Sequence, residues 1–327
     1  MMYLKSPLLS IVIANYNYGR FLEDAIKSVI AQKMWDKVEL IICDAASTDN
    51  SVEIIRKFAN GLPPNTSRYE WENSENRLMN NNQQILTTND KSLVANITWW
   101  CSEKDSGQSA AFNKGFSHAC GRFLTWLNAD DIMLPGTIQS FKSAVENNPN
   151  KEWFSGETVY VDVTGNIVTS GLATWSALFR FMRIPPWARI TAPATFFSRS
   201  LFEKVGGFDE KLRYVMDTDL WIKFTQLGYD VHYLRIACWA FRLHEESKTS
   251  ASVTTGKRNN RFLDERILIR KRAGITPIKN SMAEYGKKFC CVITLSYLRR
   301  AKWLKKTVGK NFMEIFSKNE GTIIHED

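Results

Sequence analysis

The sequence predicts an α/β protein with a parallel sheet. Three observations carry this expectation. Short apolar runs at residues 10–14 and 38–43 alternate with segments of helical spacing, the βαβ order of a parallel sheet. Polar residues, several of them acidic, follow the runs, where open α/β sheets bind ligands. The chain has 327 residues, enough for one large or two small domains with a substantial core.

Residues 10–14 (Ser-Ile-Val-Ile-Ala) read as the first strand. Over 21–31, Phe21, Leu22, Ala25, Ile26, Val29 and Ile30 fall on one side of a helix. After the strand at 38–43, Asp49 and Asn50 cap a second helix, with Glu53 at the capping-box position and Ile54, Ile55 and Phe58 on its inner face. Residues 60–94 are rich in Asn, Ser and Thr and hold Pro63-Pro64, so they read as a polar insertion, functional or mobile. A strand at 97–101 and a helix at 106–119 resume the pattern. The buried strand Arg122-Phe123-Leu124-Thr125-Trp126 delivers Leu127-Asn128-Ala129-Asp130-Asp131, and Leu134-Pro135-Gly136 stops it just beyond.

A helix follows at 137–146, then an alternating hairpin over 153–170 that turns at Thr164-Gly165-Asn166. Helices at 201–205 and 220–227 end at Gly206-Gly207 and Gly228, and 229–241 is largely strand. Two helical stretches, 259–272 and 281–308, complete the chain. The expected division is a body over 1–250 and a basic helical C-terminal extension over 251–327.

The formal charge of +9 sits in that extension. From Lys257 onward there are 17 Lys or Arg against 7 Asp or Glu, a net of +10, so the preceding residues sum to −1. A nucleic-acid binder wants basic residues on the folded face, so no nucleic-acid partner is expected. The tail instead suits an anionic membrane surface: residues 289–306 interleave apolar and basic side chains as an interfacial helix does. A helix packed on the body with a solvated basic face is the competing reading. No stretch approaches the ~20 apolar residues of a membrane span. Residues 8–14 suit a strand better than a secretory core, so the expected setting is the cytoplasm, with peripheral contact at the inner face of the membrane.

Cys43, Cys101, Cys120 and Cys238 lie in apolar segments and are expected as small core residues in a reducing compartment. The vicinal pair Cys290-Cys291 suggests no function. Asn65-Thr66-Ser67 and Asn96-Ile97-Thr98 match a glycosylation sequon, which means nothing without secretion.

Two adjacent acids at the end of a buried strand are costly unless positive charge sits beside them. A divalent cation on a diphosphate would supply it at Asp130-Asp131, since Mg²⁺ and Mn²⁺ prefer oxygen ligands and share them with phosphates. A solvated turn leading to a helix N-cap is the alternative. Asn15-Tyr16-Asn17, Asp44 and Ser102-Glu103-Lys104-Asp105 fall at the ends of the other strands. Four such groups on one edge suit a polar, phosphorylated ligand. The Gly-x-Gly-x-x-Gly and Gly-Lys-Ser/Thr loops are absent, which argues against dinucleotide and P-loop enzymes.

The order and spacing of these motifs resemble family 2 glycosyltransferases of the GT-A fold, the inverting nucleotide-sugar enzymes of bacterial surface-polysaccharide assembly. The matching stretches are Ser10–Asn17, Asp44–Asp49, Trp100–Gly115, Trp126–Asp131, Val205-Gly-Gly-Phe-Asp209, Met216-Asp-Thr-Asp-Leu-Trp221 and Arg242-Leu-His244. The likeness runs from about residue 8 to 248 outside the insertion. It implies a mixed, mainly parallel sheet flanked by helices with a helical C-terminal tail, a nucleotide-binding half over about 8–131 and an acceptor half over about 132–250. The donor is then a nucleotide-diphosphate sugar, with a UDP-sugar as the commonest choice. The acceptor is a saccharide or a lipid-linked saccharide.

The resemblance also implies roles. Asp44 accepts a hydrogen bond from the base, with Asn15 and Asn17 beside it; a turn aspartate holding backbone amides is the alternative. Asp105 and Asn113 flank the nucleotide, or else simply cap a helix. Asn128 stands where the family's metal motif has Asp, and suits a ribose hydroxyl. Asp130 is the metal ligand, with Asp131 supporting it and His244 touching metal or diphosphate; a structural histidine is as good a reading. Asp217 is the general base, although it also sits where a helix N-cap belongs. Met216 replaces the family's usual Glu. Trp175, Trp187 and Arg189 could shape the acceptor side or simply pack. Asn128 and Met216 keep open a degenerate glycosyltransferase-like binder; a nucleotidyltransferase would want a basic glycine-rich loop near the first strand, and none is there.

Overall fold

The computed structural model describes residues 7–34, 37–68, 97–170, 190, 194–247, 260–275 and 296–316. Residues 69–94 of the insertion, Trp175, Trp187, Arg189, Cys290-Cys291 and residues 281–295 lie outside them. The chain divides into two compact units: Met1–Ile132 with Ser198–Ser200, and Met133–Phe197 with Leu201–Asp327.

In the first unit the order is β1 (Leu9–Asn15), α1 (Gly19–Ile30), β2 (Val38–Asp44), α2 (Ser51–Ala59), β3 (Ile97–Ser102), α3 (Gln108–Ser117) and β4 (Phe123–Asn128). The four strands are parallel in the order β3-β2-β1-β4. Ile11, Val12, Ile13, Leu40, Ile41 and Ile42 are fully buried, as strands covered on both faces require. Glycine lets α3 lie close on the sheet: a Cβ at Gly115 would collide with Val12. The first residues of the insertion are tied down on β3. Trp100 Nε1 donates to Leu62 O at 2.7 Å, and Asn65 N–H to Trp100 O at 2.8 Å.

The second unit begins in the two-residue β5 (Ile132–Met133) and continues with α4 (Thr137–Asn147), β6 (Trp153–Val161) and β7 (Ile167–Ser170), then β8 (Thr195–Ser198), α5 (Arg199–Lys204), α6 (Met216–Gln226) and β9 (His232–Arg242). Strand β6 pairs β9 in parallel and takes β8 and β7 antiparallel along its length. The core is aromatic: Phe141 stacks on Phe196 at 4.3 Å, and Trp153 meets Trp221 at 5.5 Å and Phe224 at 5.3 Å. Such pairs contribute about 1 kcal/mol each beyond their buried area. Trp221 and Phe224 therefore anchor α6 from within.

The C-terminal part adds α7 (Asn260–Arg272), α8 (Ser296–Thr307) and α9 (Phe312–Phe316). Between α8 and α9 the backbone pairs with the β6–β7 turn. Ile167 N–H donates to Lys310 O, Gly309 N–H to Ile167 O and Phe312 N–H to Gly165 O, each at 2.9 Å. Arg300 Nε donates to Ser170 O at 3.0 Å, and Phe312 and Phe316 are buried. These residues of the tail thus pack on the second unit.

One expectation fails. Cys43, Cys101 and Cys238 are buried, but Cys120 is exposed. It sits in the loop before β4, held by its backbone: Cys120 N–H bonds to the buried Glu39 carboxylate, so its side chain is left to solvent.

Candidate active site

The parallel register of the first unit brings its strand ends to one rim. Asn15 lies opposite Asp44, Asp44 opposite Ser102, and Ala14 opposite Asn128. Asp44, 1% exposed, is the hub. Its Oδ1 accepts from Asn15 Nδ2 at 2.7 Å and from the Ser47 hydroxyl at 2.5 Å. Its Oδ2 accepts from Ser102 Oγ at 2.6 Å and Ser47 N–H at 3.0 Å. Four donors from three segments satisfy a buried carboxylate without a cation. The base-binding role implied for Asp44 therefore competes with bonds the protein already supplies; the observed bonds are those of a rim organiser.

Asn17 extends the network. With φ at 56°, a left-handed conformation that Asn tolerates, it takes Thr48 N–H on Oδ1 at 2.8 Å and gives its own N–H to Ser47 Oγ at 2.9 Å. Asp49 joins two helix starts, accepting Gly19 N–H at 2.8 Å and Ser51 N–H at 3.0 Å. Burial works to raise this carboxyl, and the bonds from Ser51 and Gly19 outweigh it and hold it below the ordinary range.

At the fourth strand end, Asn128 Oδ1 accepts from Gln108 Nε2 at 2.7 Å and Asn128 Nδ2 donates to Asp131 Oδ2 at 2.8 Å. Asp130 and Asp131 are 8% and 1% exposed. Asp105 accepts Gly107 N–H at 2.8 Å, and Gly107, at φ 129°, makes the turn into α3 that glycine favours. That bond is the helix-start role set against nucleotide contact in the sequence. Asn113 lies half-buried in the second turn of α3.

In the second unit, Asp217 is not an N-cap. Val215 holds that place and Asp217 lies inside the first turn of α6. Its Oδ1 accepts Thr218 N–H at 2.6 Å and the Thr218 hydroxyl at 3.2 Å. Burial lifts the carboxyl above the usual carboxylate range, and the Thr218 bonds do not cancel that. Asp219, also in the first turn of α6, pairs with Lys223 one turn on at 2.9 Å. His244 is buried just past β9, its carbonyl accepting Ser247 N–H at 3.0 Å.

Among the described residues no three His, Cys, Asp or Glu side chains gather into a metal-binding group. The Asp130-Asp131 rim still fits a hard cation that takes most of its oxygens from a diphosphate, because the protein then needs to supply only one or two carboxylate oxygens. Ser47 and Gln108 were not singled out in the sequence, and Ser102 was named there only within a strand-end run. Ser47 and Gln108 lie within the matching motifs, but only the strand register shows which atoms they bind.

The family model described as "Glycosyl transferase family 2" matches residues 10–85 and 99–206. A chondroitin synthase of Pasteurella multocida is 23% identical over 266 residues, 81% of this chain and 24% of that protein. The chain spans less than a third of the length of the first curated relatives it matches. Among solved structures, S. aureus TarS 1-349 in complex with UDP-GlcNAc aligns with a TM-score of 0.56 at 13% identity, covering 85% of this chain and 69% of that one. A mannosyltransferase of Pyrobaculum calidifontis in complex with GDP-Man and Mn²⁺ aligns at 0.52 and 16% identity, covering 89% and 76%. These likenesses bear out the expected fold.

Proposed function

We propose, on the premise that the chain belongs to glycosyl transferase family 2, that it transfers a sugar from a nucleotide-diphosphate sugar, a UDP-sugar first, to a hydroxyl of a saccharide or lipid-linked acceptor. The observation that carries this is the single rim on which Asn15, Asp44, Ser102 and Asn128 end four parallel strands. Solved relatives of this fold carry UDP-GlcNAc or GDP-Man in the complexes described, which supports a nucleotide-sugar donor. A polysaccharide synthase among the relatives supports a role in surface-polysaccharide synthesis.

In this reading Asp44, Asn15, Asn17 and Ser47 shape the nucleotide edge of the rim, with Asp105 and Asn113 beside it. Asn128 meets the ribose. Asp130, supported by Asp131, is the residue that would hold Mn²⁺ or Mg²⁺. When bound, the cation supplies positive charge to the leaving diphosphate. Asp217 is the base. It takes the proton of the acceptor hydroxyl as that oxygen bonds to the anomeric carbon and the nucleoside diphosphate leaves with the electron pair of the broken bond. A single displacement of this kind inverts the anomeric centre. Burial strengthens Asp217 as a base.

The basic tail is proposed to meet anionic lipid through Lys302, Lys305, Lys306 and Lys310, all exposed. Among the described residues no helix is long and apolar enough to cross a membrane. Asn128 in place of an acid favours one second reading, a nucleotide-binding protein without turnover. The deciding experiment screens UDP- and GDP-sugars for free nucleotide, with and without Mn²⁺, and determines the anomeric configuration of the product. Nucleotide binding without release under every condition would favour the second reading.

A further inference from the structure

Helix α7 lies in what the sequence presents as an extension, yet it grips the segment that carries Asp217. Glu265 is the centre of that grip. Both its oxygens accept Arg213 N–H at 3.1 Å, and Oε2 also accepts Tyr214 N–H at 2.8 Å. Arg272 Nη1 meets Asp209 Oδ2 at 2.6 Å, and Gln226 Nε2 donates to Ala273 O at 3.1 Å. The chain from 209 to 226 is therefore fastened on both sides of Asp217.

Glu265 is 7% exposed and paired with Arg261 at 3.1 Å. Burial works to raise its carboxyl. The amides of Tyr214 and Arg213, with Arg261, outweigh that and hold it below the ordinary range, so it stays ionised at neutral pH. Pairing with Arg261 serves α7 itself. The bonds to two consecutive backbone amides serve another segment, the one that ends at Val215, the N-cap of α6.

We propose that Glu265 is a positioning residue for the transfer reaction: by holding the Arg213 and Tyr214 amides it fixes the entry into α6 and so the direction in which Asp217 meets the acceptor hydroxyl. This rests on Asp217 as the base and goes beyond it by giving the C-terminal helix a part in the chemistry. Misplacing a reacting group by about 1 Å can cost about a hundredfold in rate. Aromatic packing of Trp221 and Phe224 anchors the later turns of α6, while its first turn follows directly on the loop whose amides Glu265 holds.

The test compares Glu265→Ala, Glu265→Gln and Asp217→Asn with the parent, using the UDP-sugar that releases UDP best in the screen. Glu265→Ala should lose hydrogen-exchange protection at the Arg213 and Tyr214 amides. Its kcat should fall roughly 10- to 100-fold, with donor KM and calorimetric affinity for free UDP plus Mn²⁺ unchanged. Glu265→Gln keeps one acceptor oxygen and should regain most of the rate. If Glu265→Ala does not fold, Arg272→Ala, which removes an exposed tie, should shift kcat in the same direction by less. Parent kcat in these variants, or an equal loss of kcat and UDP affinity, overturns the proposal. Parent turnover in Asp217→Asn removes the base assignment itself; an inactive Asp217→Asn beside a fully active Glu265→Ala removes only the positioning role.

Discussion

Asn128 holds Asp131, its side-chain N–H donating to Oδ2 at 2.8 Å. Replacing Asn128 by Asp puts an acceptor where that donor stands and takes this bond from a buried carboxylate. Such a loss costs about 1–3 kcal/mol. Asn128→Asp should therefore melt lower than the parent in EDTA and recover with Mn²⁺, as thermal unfolding in both buffers will show.

Asp44 gathers four donors at the rim. Asp44→Ala removes the acceptor they share and should cost on the order of 3 kcal/mol, with UDP affinity falling as the rim loosens. Asp44→Asn should lose less of both. Denaturant unfolding and calorimetry with UDP measure the two effects.

Asp217 carries opposite demands. Its carboxyl is raised by burial, so the folded state binds the proton more tightly than the unfolded state does. The stability this contributes is present in full below the unfolded value of about 4 and is lost as pH rises through the folded value. Asp217→Asn should thus melt above the parent at pH 7, with the gap closing toward pH 4. Turnover should fall at least about 100-fold, and the acid limb of the parent's kcat should lie above that of an ordinary aspartate. Melting curves and rate profiles across pH check both.

Phe316 is 1% exposed in the last described helix. Phe316→Ala should cost about 3–5 kcal/mol. Equilibrium unfolding will separate this from a tail that merely trails in solvent, where the substitution would be silent.

Because the tail is packed, deleting it would confound lipid binding with folding. Charge reversal of Lys302, Lys305 and Lys306, all exposed, avoids that. The triple Glu variant should lose sedimentation with anionic vesicles and keep the parent's melting temperature. Undiminished binding would remove the membrane role.

The parallel unit was legible because strand and helix periods alternate cleanly, and Asn15, Asp44 and Asn128 fall where each strand must end. What Asp44 binds was not, since Ser102 comes 58 positions later and only pairing of β2 with β3 brings it near. Glu265 drew no notice in the sequence, because its pairing with Arg261 is an ordinary helical one and its second task lies 51 and 52 residues upstream. Cys120 misled because apolar neighbours do not bury a side chain whose backbone is pinned in a loop.

The backbone pairing of 309–312 with the β6–β7 turn also sets an order of events during synthesis. Asn311 bonds Thr164 across 147 positions. Contacts of the first unit lie almost wholly within the N-terminal 132 residues, so that part can condense while translation continues. The β6–β7 turn must wait until residues 309–312 have left the ribosome before its backbone partner arrives, a closure that comes late because it spans so many positions.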